Sequence, residues 1–212
     1  MTIQEAVEAP LENFDVPKEE RRARVADMVR RVGINEEWLT RYPHEFSGGQ
    51  RQRIVIARAL IVEPQFVVYD EAVSALDVSV RSQVLNLMRD LQKEMHLTYL
   101  FISHDLSVIK HISDRIVVMY LGRVVEIAEK HKLLDNALHP YTQALISAIP
   151  KPVVGAQEKR IVLTGDIPSP IAPPSGCPFH PRCPHCEDVC KRELPTVRDA
   201  GGGHLVACHR IQ

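Results

Sequence analysis

Apolar residues recur along the chain first at helical and then at strand spacing, and this alternation lays out the elements. Over residues 18–32, Val25, Met28, Val29 and Val32 share one helical face, and Gly33 suits the stop. Residues 36–41 predict a short helix that ends before Pro43. A longer helix opens at Ser47 and runs to about residue 62, ahead of Pro64. Ser47 and Gln50 have capping-box spacing, so hydroxyl and amide can each satisfy an orphan backbone N–H. The run Q-F-V-V-Y at 65–69 reads as a buried parallel strand leading into Asp70 and Glu71. Asp77 is placed to cap the next helix, whose stripe is Val80, Val84, Leu87, Met88, Leu91 and Met95. Residues 98–102 predict a second strand that exits at Ser103, His104 and Asp105, with Asp105 capping a short helix. Residues 116–120 and 123–127 flank Leu121 and Gly122 as a hairpin. Residues 140–149 predict a helix with Pro140 near its start.

Strands alternating with helices indicate an α/β fold with a parallel sheet and crossover helices. From Pro150 onward prolines become dense, three glycines follow one another at 201–203, and periodicity is lost. A linker is expected at about 150–160, with a small separate module after it.

Composition narrows the functional classes. The 212 residues carry a formal net charge of -1, so overall charge gives no indication of a nucleic-acid binder. No stretch is long and apolar enough to cross a bilayer, and the acidic first twenty residues lack the apolar core of a signal peptide. The chain therefore reads as cytosolic, touching a membrane only through a partner. All five cysteines fall between Cys177 and Cys208. Clustered cysteines in a cytosolic chain favour metal binding over disulfides.

Four short segments carry candidate chemistry. F-S-G-G-Q at 46–50 places two glycines at a helix start, where free N–H groups and the helix dipole favour an anion; it reads equally well as simple capping. Asp70 and Glu71 leave a parallel strand at its C-terminal edge, where α/β folds bind ligands. One carboxylate can hold Mg²⁺ while the other orients an attacking water, although an isolated Asp-Glu pair is more often a solvated strand end. S-A-L-D at 74–77 reads as a loop closed by a helix cap. His104, at the second strand exit, can donate to a phosphate oxygen or be an ordinary loop histidine.

In this order and spacing the four segments resemble the signature motif, Walker B, D-loop and H-switch of ABC-transporter ATPases, over about residues 42–127. Y-P-H-E-F-S-G-G-Q-R-Q-R at 42–53, E-A-V-S-A-L-D at 71–77 and H-P-Y-T-Q-A-L at 139–145 resemble the oligopeptide/dipeptide importer branch. Ala72 and Val73 depart from the Pro-Thr of many such ATPases and are similar to one of that branch's two ATPase subunits, which points to a heterodimer.

The resemblance implies a partial ABC-type nucleotide-binding domain, a helical subdomain plus a parallel-sheet core, with a small Cys-rich C-terminal module. The expected divisions are 1–45, 46–130, 131–160 and 161–212. It also implies roles. Asp70 helps hold Mg²⁺, Glu71 polarises the attacking water, and His104 contacts the γ-phosphate of ATP. Asp77 belongs to a dimer contact, while Ser47, Gly48, Gly49 and Gln50 close over ATP on the opposite subunit. Implied partners are a second ATPase subunit, homo- or heterodimeric, membrane permeases at the cytoplasmic face and, indirectly, an extracytoplasmic peptide-binding protein. No nucleic-acid partner is implied. A soluble ABC ATPase of DNA repair or translation is the alternative within the class. A non-enzymatic module lending its signature face to an intact ATPase is the alternative outside it.

No G-x-x-x-x-G-K-[ST] segment, the loop that cradles β- and γ-phosphates, occurs in the sequence. Residues 1–7 resemble the segment just after the family's glutamine loop, so the chain is expected to begin inside the domain. The cysteine spacing is unlike a zinc ribbon, and only Cys183 and Cys186 form a C-x-x-C pair. The stretch resembles the C-terminal extension of peptide-importer ATPases. That resemblance assigns Cys177, Cys183, Cys190 and Cys208 to a four-iron–four-sulfur cluster, with zinc as the alternative and Cys186 left over. The expected role is structural, because so small and Pro-rich a module can bury little core.

Overall fold

A computed structural model describes residues 1–149 and 160–211. The expected linker at 150–160 falls almost wholly outside the described residues. The chain forms two compact units, Met1–Ile112 and Ser113–Gln212.

The first unit opens with a helix that the apolar pattern did not predict, α1 (Ile3–Asn13). Thr2 caps it: its hydroxyl accepts from the Glu5 N–H at 3.3 Å, and the Glu5 carboxylate accepts from the Thr2 N–H at 2.7 Å. Ile3, Val7 and Leu11, spaced four apart, bury one face in the core. α2 (Lys18–Arg31) follows the expected helix and adds Val25, Met28 and Val29 to the same core. Gly33, at φ +73°, stops it as the sequence suggested. The helix expected over 36–41 is only one 3₁₀ turn, Glu36–Trp38. Pro43 forces the extended backbone seen at Tyr42 (ψ 147°), so a second 3₁₀ turn, Pro43–Glu45, begins afresh instead.

α3 (Gly48–Leu60) leads into β1 (Phe66–Asp70), α4 (Val78–Glu94), β2 (Thr98–Ile102) and α5 (Leu106–Ile112). β1 and β2 pair in parallel, with Phe66 opposite Thr98 and Asp70 opposite Ile102. This register brings the two strand exits side by side. The fully buried strand expected at 65–69 is instead buried on one face only. Val67 and Tyr69 point into the core, whereas Phe66, Val68, Leu100 and Ile102 are about half exposed. The sheet has two strands among the described residues, too few to cover both faces.

In the second unit β3 (Arg115–Tyr120) and β4 (Arg123–Glu129) form the expected hairpin, turning at Leu121 and Gly122. α6 (Lys130–Asp135), which the periodicity did not reveal, and α7 (Pro140–Ser147) follow. After a 3₁₀ turn at His180–Arg182 come α8 (Asp188–Arg192), β5 (Arg198–Asp199) and β6 (Leu205–Val206). β6 pairs antiparallel with β4, giving the order β3-β4-β6-β5. Tyr120, Tyr141 and Phe179 meet edge-on or tilted, with centroids 4.8–5.4 Å apart.

Candidate functional site

The parallel register determines which candidate residues meet. Glu71 is the first residue past β1; its N–H donates to the Ile102 carbonyl at 3.0 Å, and its φ is +48°. That left-handed conformation, uncommon for a residue with a β-carbon, ends the strand abruptly and turns the side chain out of the strand's alternation. His104 lies two residues past Ile102, the register partner of Asp70. Its Nδ1 lies 3.0 Å from Glu71 Oε1, joining residues 33 apart in sequence. Both side chains are open to solvent, 72% exposed for His104 and 53% for Glu71. A solvent-facing carboxylate oriented by an imidazole can position and polarise a water.

Asp70 is exposed at the strand end. With Glu71 it lines a cleft of about 410 Å³ between α3 and β1, shared with Gln52, Val55, Ser74 and Leu76. Ser74 donates its hydroxyl to the Glu71 carbonyl at 2.9 Å and its N–H to the same oxygen at 3.1 Å, tightening the loop that follows the pair.

The capping box at Ser47 forms as predicted: its hydroxyl accepts from the Gln50 N–H at 3.4 Å, and the Gln50 side-chain oxygen accepts from the Ser47 N–H at 3.0 Å. Gly48 and Gly49 pack this helix start against the 74–77 loop and α4. A β-carbon at Gly49 would stand 2.3 Å from Val80 Cγ1, so any larger residue there would force Val80 to move; at Gly48 the nearest atom, Leu76 Cδ2, would be an ordinary 3.5 Å away. Among the described residues no hydrogen bond joins residues 47–50 to Glu71 or His104. Asp77 occupies the N-cap position of α4, but its carboxylate makes no cap hydrogen bond. Only its backbone takes the cap role, the carbonyl accepting from the Arg81 N–H at 2.8 Å; the side chain stays exposed, where water solvates its charge. Asp105 does cap α5, accepting at Oδ1 from the Ser107 N–H and hydroxyl.

Arg81 is a residue that sequence pattern did not single out. Its guanidinium donates to Asp105 Oδ2 at 2.7 Å and to the Leu76 carbonyl at 3.0 Å. The Asp105 carboxyl is held below the ordinary carboxylate range, first by the Ser107 hydroxyl and then by backbone donors and Arg81.

The cysteine module is partly drawn together. The Cys177 N–H donates to the Cys190 carbonyl at 2.8 Å, and both residues are buried. Burial pushes the Cys177 thiol up to about 11, and neighbouring Cys190, Cys183 and Cys208 push in the same direction. Cys183 and Cys208 are raised too, chiefly by burial. The four thiols assigned by resemblance are thus electrostatic neighbours and soft donors suited to iron or zinc. Yet no three His, Cys, Asp or Glu side chains among the described residues are arranged to hold a metal ion. The donor chemistry fits the expected cluster; the ligand geometry does not.

A second joint was invisible to the sequence. Glu126 on β4 is fully buried and accepts three hydrogen bonds: from the Leu138 N–H at 2.7 Å, the His139 N–H at 3.0 Å and buried His204 Nε2 at 2.7 Å. It ties β4 to the start of α7 and to the turn entering β6. Among the described residues no helix is long and apolar enough to cross a membrane.

Comparisons with known proteins bear on the fold and the family resemblance. Residues 1–74 match the ABC transporter family, and residues 125–190 match the oligopeptide/dipeptide transporter C-terminal region. The oligopeptide transport ATP-binding protein AppF of Bacillus subtilis is 52% identical over 98% of this chain, which spans 64% of that relative. The dipeptide transport ATP-binding protein DppF of Haemophilus influenzae is 52% identical over 94% of the chain, which spans 61% of it. The chain therefore spans less than two thirds of these relatives. Among solved structures, cbiO1 of Clostridium perfringens, part of the ABC transporter complex cbiONQ, superposes with a TM-score of 0.58 at 29% identity, over 64% of this chain and 53% of that one. The bacterial ABC transporter cassette MJ0796, solved as a dimer, gives 0.53 at 30% identity, over 61% and 57%. The fold is ABC-ATPase-like, and the homologues of this chain are ABC-transporter ATP-binding proteins of oligopeptide and dipeptide transport, 52% identical over nearly its whole length.

Proposed function

We propose that this chain carries the hydrolytic half of an ATP site in the ATP-binding subunit of a peptide importer. The observation that carries the reading is the Glu71–His104 pair, 3.0 Å apart at two adjacent strand exits. Glu71 polarises the attacking water, His104 holds Glu71 in place and meets the γ-phosphate, and Asp70 helps hold Mg²⁺. Phosphoryl transfer depends on positioning and charge stabilisation, so this arrangement suits it. Residues 47–50, with Gly49 fixed against Val80, present a helix N-terminus to the phosphates of ATP bound on a second ATPase subunit, and Asp77 joins that dimer contact. The names of the relatives support peptides as cargo; the proposed partners are membrane permeases, and the proposed place of work is the cytoplasmic face of the membrane. The peptide-binding protein acts through the permeases.

In the cysteine module we propose Cys177, Cys183, Cys190 and Cys208 as ligands of an iron–sulfur cluster, a reading supported by their soft donor chemistry alone. The thiols of Cys177, Cys183 and Cys208 are raised, so metal must displace their protons and loading strengthens with rising pH. Iron and acid-labile sulfide after anaerobic purification support this assignment; stoichiometric zinc in a colourless protein overturns it.

The hydrolytic role is tested by Glu71→Gln in an assembly that supplies a phosphate-binding loop. ATP binding persists and turnover falls at least about 100-fold, the scale of a lost general base. Undiminished turnover refutes the role. The 212-residue chain alone is expected to show neither tight Mg-ATP binding nor hydrolysis in calorimetric titration.

A further inference from the structure

Glu71 and His104 belong to a closed ring of contacts, and one member has no role in the proposed chemistry. From Glu71 the chain runs through the 74–77 loop to Leu76. The Leu76 carbonyl accepts from Arg81 Nη2 at 3.0 Å, and Arg81 Nη1 donates to Asp105 Oδ2 at 2.7 Å. Asp105 is bonded in sequence to His104, whose Nδ1 returns to Glu71 Oε1 at 3.0 Å.

The far side of the ring is stiff. Asp105 is immobilised at its other oxygen by the Ser107 N–H (2.9 Å) and hydroxyl (2.5 Å), and its own N–H donates to Ser103 Oγ at 3.0 Å. Arg81 is rooted in the first turns of α4, and its side chain is about three-quarters buried. A planar guanidinium held at two nitrogens fixes both partners in distance and in plane, which a single ammonium cannot do.

The geometry points to Arg81 as a positioning residue that holds His104 in register with Glu71 and carries any displacement of the 74–77 loop to His104. Its meaning for hydrolysis rests on the function proposed above. Its mechanical content does not, because every contact of the ring is made between residues of this chain.

The test uses the full 212-residue chain without nucleotide, labelled with ¹⁵N in the histidine rings. Long-range ¹H–¹⁵N spectra are recorded, with His104 assigned by its loss in His104→Gln. An internal reference exists: His111 on α5 bonds through Nε2 to Asn86 Oδ1 on α4 at 3.0 Å, spanning the same pair of helices. In Arg81→Ala the His104 ring resonances are expected to move to the positions seen in Glu71→Gln, while those of His111 stay. Asp105→Asn, which keeps the side chain's shape, is expected to move His104 in the same way and serves if Arg81→Ala does not fold. Arg81→Lys restores a charge beside Asp105 but not the fork, and does not return His104 to its wild-type position. Unmoved His104 resonances overturn the proposal, as does joint movement of His104 and His111, which marks general loosening of α4 against α5. Failure of the hydrolytic reading shows instead as normal turnover in Glu71→Gln, whatever these spectra give.

Discussion

His139 should make the second unit lose stability in mild acid, by an amount that follows from its burial. The residue is 1% exposed, and its ring packs near Phe179 with centroids 5.6 Å apart. Its Nδ1 accepts from the Tyr141 N–H at 3.1 Å, capping α7, a role open only to the unprotonated nitrogen. Burial pushes its pKa down to about 4, against the opposing pull of the Glu126 charge. In the unfolded chain the imidazole titrates near 6.5. Between those values the unfolded chain binds a proton that the folded one does not. Stability is therefore complete above about pH 6.5 and falls as pH falls toward 4. At about 1.4 kcal/mol per pH unit the interval is worth about 3 kcal/mol. His139→Asn removes the titration and keeps a good cap. The lone Trp38 lies in the first unit, so tryptophan fluorescence does not report this event. Urea unfolding should be followed by tyrosine near-ultraviolet circular dichroism, or through exchange of the Tyr141 amide. From pH 7.5 to 4 the wild type should lose about 3 kcal/mol more than His139→Asn. Parallel pH profiles for the two proteins would refute the reasoning.

Glu126→Gln should destabilise the second unit by about 3 kcal/mol in the same assay, because an amide turns a donor toward one of three N–H groups that need an acceptor; a loss under about 1 kcal/mol would contradict the bonding described. Gly49→Ala should cost about 1–2 kcal/mol in urea unfolding read at Trp38, overpacking against Val80 outweighing the gain in helix propensity. Adding Val80→Ala should remove that cost, and a cycle with no coupling would show that the close approach is not what requires glycine.

How much of this was legible in the sequence depended on how local each cause is. The Ser47–Gln50 cap, the Gly33 stop and the β3–β4 turn are written within a few residues, and they appear where pattern placed them. Helix α1 was equally local, since Thr2 and Glu5 spell a capping box, but Pro10 in its interior obscured the periodicity. Asp77 shows the limit of the local rule: the residue type fitted a cap, yet an exposed carboxylate has water as a competing partner and made no cap bond. Nothing local foretold Glu126. In an alternating strand a glutamate reads as the solvated face, and its burial depends on His204, 78 residues away, and on two backbone donors that no side-chain pattern encodes. Arg81 was hidden in a similar way: a charged residue one turn before buried Val84 and Leu85 does not announce its partners, Asp105 and the Leu76 carbonyl. The candidate pair itself lies between these cases. Each strand end was readable, but the 3.0 Å approach of Glu71 to His104 needed two further facts. One is the strand register, and the other is a left-handed residue at the first exit, which apolar periodicity does not reveal. Chemistry concentrated in motifs was therefore visible early, while the residues that hold it in place were not. Positioning residues work through charge and backbone contacts across the fold, and their signature is a geometry rather than a spacing.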